Sequence, residues 1–105
     1  MEKLNQIIQI SYSILAILFS KKAFVSESNL KVELNKELNK YKNYNKSTKV
    51  NIINDSLDYI FNDCIRLLLK YNLINYRLTK GQVSFNLNNI GRFVCEKSKE
   101  NYDAN

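Results

Sequence analysis

The chain has 105 residues, with sixteen Lys and Arg against ten Asp and Glu (net charge +6), no histidine, no proline, two glycines and two cysteines. That length closes one small hydrophobic core and not two. The composition excludes a histidine-based catalytic or metal centre, a disulfide framework and a glycine-rich phosphate loop, and the charge favours an acidic partner such as nucleic acid or an acidic protein surface.

Residues 3–20 predict a first helix, with Leu4, Ile7, Ile8, Ser11, Ile14, Leu15 and Leu18 on one face at helical spacing. Ile10, Tyr12, Ile17 and Phe19 fall outside that face, so the helix is apolar nearly all round. Either it runs through the middle of the domain, or its second face docks onto another chain. The small size of the domain favours docking, with Ile10, Tyr12, Ile17 and Phe19 as interface residues. The apolar run from Ile7 to Phe19 is broken by Gln9, Ser11 and Ser13. It is also shorter than the ~20 residues of a spanning helix, and no signal-peptide cleavage pattern follows it, so a cytoplasmic chain without a membrane partner is expected.

Phe24 and Val25 suggest a short strand. Ser26 is a good N-cap for a second helix, with Val25 and Leu30 placed as its hydrophobic staple. Leu30, Leu34, Leu38 and Tyr41 form a thin stripe on that helix, which is expected to reach about Tyr41. The following stretch, residues 40–49, is basic and interleaved with Tyr41 and Tyr44. Its Lys40, Lys42, Lys46 and Lys49 are candidates for phosphate contact, although the same pattern also describes an ordinary polar loop.

A third, long helix is expected over residues 48–72, capped by Ser47 or Thr48, or else split by a second cap at Asp55 or Ser56. Val50, Ile53, Leu57, Ile60, Cys64, Leu67 and Tyr71 make one seam, widened by Phe61, Ile65 and Leu68. Residues 73–78 and 83–87 then switch to period two, with Leu78, Val83, Phe85 and Leu87 on one face around the turn Thr79-Lys80-Gly81-Gln82. Asn88 or Asn89 caps a last helix carrying Ile90, Phe93 and Val94. One domain is expected over residues 1–96, followed by a frayed polar tail over 97–105.

These elements make a mainly α chain with a small β-hairpin, four helices plus a two- or three-stranded wing. Phe85-x-Leu87-Asn88-x-x-Gly91-Arg92, preceded by the run from Leu67 to Ile74, resembles the end of winged helix-turn-helix domains of the PadR and MarR kind. Here Asn88 stands for the usual threonine and Asn72 for the usual glycine. Phe61-x-x-Cys64-Ile65-x-x-Leu68-x-x-Tyr71-Asn72-x-Ile74 also resembles, with departures at Cys64 and Tyr71, the small middle components of bacterial ABC-three-component defence systems related to the Lamassu type. That resemblance implies a non-catalytic adaptor bridging a Rad50-like or SMC-like ATPase and an effector.

The seam leaves Asp58, Tyr59, Asn62, Asp63, Arg66 and Lys70 outward on the third helix. Its acids lower the expectation of direct major-groove reading. The leading expectation is therefore a non-enzymatic docking subunit needing neither cofactor nor small-molecule substrate. It would bind protein, or a second copy, through the first helix and through Tyr59, Asn62, Arg66 and Leu69. A dimeric DNA-binding regulator is the alternative, holding duplex DNA with Lys40, Lys42, Lys46, Lys49, Arg77 and Lys80.

Overall fold

The computed structural model describes residues 2–44 and 54–103, with side-chain surroundings for 4–39 and 58–98. The described elements run α1 (Glu2–Lys21), β1 (Val25–Ser26), α2 (Glu27–Tyr44), α3 (Asn54–Lys70), β2 (Ile74–Thr79), β3 (Gln82–Leu87) and α4 (Asn89–Asp103). The result is four helices and one three-stranded antiparallel sheet of order β1-β3-β2. What precedes Asn54 in the expected long helix, with its caps at Ser47 or Thr48, lies outside the described residues.

The local signals act where they were expected. The Ser26 hydroxyl accepts from the Asn29 amide at 3.2 Å, opening α2 over the buried pair Val25 and Leu30. α3 ends on Asn72, whose φ of 57° places it in the left-handed region. The amides of Asn72 and Leu73 donate back to the carbonyls of Leu69 and Leu68, closing the helix end in a Schellman arrangement. The hairpin turns at Lys80 and Gly81 with φ of 52° and 77°, the paired positive values of a type I′ turn. Ile74↔Leu87, Tyr76↔Phe85 and Leu78↔Val83 then share one sheet face, and Val25↔Phe85 extends it to β1.

α1 is the centre of the molecule, packed by α2, α3, α4 and β3. Its buried arc is Ile10, Ser11, Ile14, Leu15, Ile17 and Leu18, while Leu4 and Ile8 are exposed. This corrects the expected face. Ile10 and Ile17, at 2% and 7% exposure, are core residues and cannot dock a partner, and Phe19 is half-buried against the same core. A central helix needs apolar residues on several sides, which is why its pattern offered no clean division.

α4 is also rotated from expectation, leaving Ile90 and Phe93 exposed. Gly91 sets that rotation: a Cβ there would stand 2.1 Å from the Leu73 carbonyl oxygen, so α4 lies against the chain at a point where only glycine fits. Asn88 fixes the start, its Oδ1 accepting from the Gly91 amide at 2.8 Å and its Nδ2 donating to the Asn72 carbonyl. With no proline or further glycine to stop it, the helix continues to Asp103. The segment expected to fray from residue 97 is therefore helical through that point.

Two buried polar groups meet on α1. The Cys64 thiol donates to the Ile7 carbonyl at 3.4 Å, and burial pushes its pKa up. Ser11 Oγ is buried without a hydrogen-bond partner. The carbonyl it would take four residues back in its own helix is that of Ile7, the one the thiol uses. Ser11→Ala removes an unsatisfied hydroxyl and adds helix propensity, so it is expected to stabilise the protein by about 1 kcal/mol. A urea unfolding curve with a higher midpoint and unchanged slope is the result that checks it.

Candidate macromolecular interface

Three exposed surfaces carry the sequence-predicted residues. The first is the outward side of α3. Ile60, Phe61, Cys64, Ile65 and Leu68 bury the inner side, which leaves Tyr59, Asn62, Arg66 and Leu69, at spacings of three and four, on one outward stripe. Tyr59 is 77% exposed, far beyond what a packed aromatic shows, while Leu69 is exposed only at its margin. The Asp58 carboxylate beside this stripe is paired with Lys31 of α2 at 3.1 Å. Lys31 also stands over the Phe61 ring, 5.2 Å from its centroid. An acid that would face a polyanion is thereby matched by a cation tethered to the core.

The second surface is the hairpin. Lys80 stands exposed at its turn. Arg77 lies on the polar side of the sheet with Ser84, and its guanidinium stacks on the Phe24 ring with 4.1 Å between charge centre and centroid. Arg77 and Lys80 thus share one hairpin, but Arg77 is drawn back over β3 towards β1. Lys40 and Lys42 fall in the last turns of α2, three residues longer than expected, with their side chains outside the described set. Lys46 and Lys49 also lie outside the described residues.

The third surface is a groove of about 330 Å³ between the first half of α1 and the end of α3. Leu4, Ile8 and Tyr12 form one wall, Leu67 and Tyr71 the other, with Leu68 and Leu73 also lining it. Of the four α1 residues expected at an interface only Tyr12, 63% exposed, is available. Leu4 and Ile8, which spacing places on the main apolar face of the first helix, and Tyr71, which it places in the α3 seam, are exposed, Tyr71 at 64%.

Among the described residues no group of His, Cys, Asp and Glu is placed to hold a metal ion, and no helix is long and apolar enough to cross a membrane. No family model, curated protein or solved structure matches the chain.

Proposed function

We propose that the chain is a winged-helix module that works by docking, as a non-catalytic accessory subunit of a bacterial ABC- or SMC-type ATPase complex of antiviral defence in the cytoplasm. The winged-helix reading is supported by the order helix, short strand, two helices, hairpin, helix, together with the strand order β1-β3-β2. The single observation that carries docking is the amount of large apolar side chain left uncovered. Leu4, Ile8, Tyr12 and Tyr71 around the groove, and Tyr59 on α3, are exposed on a chain with little surface to spare. The outward α3 stripe mixes Tyr59, Asn62, Arg66 and Leu69, and Tyr and Arg are the residue types that most often dominate protein–protein binding energy.

Co-expression with a candidate ABC- or SMC-type ATPase tests the reading. Arg66→Glu and Tyr12→Ala are both expected to reduce co-purification at least tenfold while the circular dichroism spectrum stays unchanged. An ATPase that co-purifies undiminished with both variants would overturn these surfaces.

The alternative of duplex-DNA binding is favoured by one observation, the pairing of Lys31 with Asp58. On that reading Lys80→Ala lowers the salt dependence of DNA affinity by about one charge. Arg77→Ala changes it less, because that guanidinium is stacked on Phe24. A chain that ignores DNA at low salt rejects it.

A further inference from the structure

The sheet has two edges. β1 is only two residues long, whereas β2 presents six residues, and among the described residues no strand pairs with its outer side. Long free edges are normally blunted by proline, lysine, a bulge or an inward-pointing charge. β2 is Ile74-Asn75-Tyr76-Arg77-Leu78-Thr79 and its ladder with β3 runs without a bulge. Its one charged side chain, Arg77, leans away from the edge onto Phe24. Tyr76 and Leu78 share the face of the buried Ile74 and Phe85 but reach past the covering helices, and stand 64% and 66% exposed.

The register says which backbone groups are free. Thr79↔Gln82 closes a type I′ turn and is therefore a hydrogen-bonded pair, so Asn75, Arg77 and Thr79 turn their amides and carbonyls towards β3. Those of Ile74, Tyr76 and Leu78 point to the open edge. We propose that this edge is completed by the same strand of a second copy, antiparallel, about a two-fold axis at Tyr76.

The choice of occupant and register follows from the strand itself. A two-fold axis perpendicular to the sheet keeps apolar face with apolar face only when it passes through a residue. Centred on Tyr76 it sets Tyr76 opposite Tyr76 and Ile74 opposite Leu78, while Asn75 meets Arg77 on the polar side. Each of the apolar pairs then falls on residues whose amides and carbonyls already face outward, so the ladder forms without rearrangement. Centring on Arg77 opposes two guanidinium groups, and centring on Asn75 leaves Leu78 without a strand partner. The strand is thus self-complementary in one register, which an unrelated extended peptide would match only by coincidence. This pairing does not depend on what α3 or the α1 groove touches.

Sedimentation equilibrium of the full chain, combined with amide hydrogen exchange at several protein concentrations, tests it. The expected result is a reversible dimer in which the Tyr76 and Leu78 amides gain protection as concentration rises, while Arg77 and Thr79 are protected throughout by β3. Tyr76→Lys, a change at an exposed position, is expected to raise the dissociation constant at least tenfold with unchanged helix content. A monomer at all concentrations overturns the proposal. So does a dimer that survives Tyr76→Lys or gains its protection on α1, and so does an edge that becomes protected only when an extended segment of another protein is added.

Discussion

Gly91→Ala is expected to destabilise the protein by about 3 kcal/mol, at the upper end of what overpacking costs. It should lower the midpoint of thermal unfolding by about 15 °C for a domain of this size. Helix propensity alone predicts the opposite sign, since alanine in place of a helical glycine gains up to about 1 kcal/mol, less in the first turn where Gly91 sits. The geometry decides between them. The added methyl would meet the Leu73 carbonyl oxygen at 2.1 Å, a backbone atom that cannot turn aside as a side chain would, and would crowd Leu87 as well. Relief requires α4 to lift away from the start of β2, which strains the hydrogen bond from the Asn88 amide to that same carbonyl, 3.2 Å long. Gly81→Ala is the informative control. Gly81 has the positive φ, but nothing stands within 4 Å of an added Cβ, so its cost is the left-handed penalty of about 1–2 kcal/mol. A scan in which Gly91→Ala is neutral or stabilising would mean that α4 is not seated on Leu73.

The two glycines also show how much of the fold is readable in the sequence. The Gly81 turn, the strand faces of the hairpin and the Ser26 cap are each decided within a few residues and readable there, while for α4 the sequence leaves Asn88 and Asn89 both open and the structure selects Asn88. Gly91 is a helical residue whose meaning is the carbonyl of Leu73, on another element, and no local pattern encodes that approach. The rotation of α1 failed for a related reason. Ile8 and Ile10 are chemically equal, and only the arrangement of α2, α3, α4 and β3 around the helix decides that Ile10 is buried and Ile8 is not. Of the candidate site, the outward stripe of α3 was readable because it is the complement of a clean seam. The groove beside Tyr71 was not, because it exists only where the first half of α1 meets the end of α3, two segments far apart in the chain. Likewise Arg77 is recognisable as basic from the sequence, while its commitment to the Phe24 ring is a matter of two strands meeting across a third.

The second large effect lies at the contact between α3 and the sheet. Phe61 is fully buried and meets Phe85 edge-on, with ring centroids 6.5 Å apart and planes inclined by 67°. Phe85 in turn pairs in register with Val25 of β1 and with Tyr76 of β2. One aromatic contact therefore ties the third helix to all three strands. Phe61→Ala is expected to cost about 4 kcal/mol, the range for truncating a core phenylalanine. Natural domains hold a reserve of only about 5–15 kcal/mol, so this is a large fraction of it. Tyr59→Ala, two residues earlier on the outward stripe, is expected to change stability by less than about 0.5 kcal/mol. The contrast between neighbouring aromatics separates the inner face of α3 from its outward face more sharply than either value alone. A double-mutant cycle with Phe61→Leu and Phe85→Leu isolates the ring–ring contribution, expected at about 1 kcal/mol. If Phe61→Ala were mild and Tyr59→Ala severe, α3 would be turned the other way round and Arg66 would lie in the core. If the cycle showed no coupling while Phe61→Ala remained severe, burial rather than the edge-on geometry would account for the link between helix and sheet.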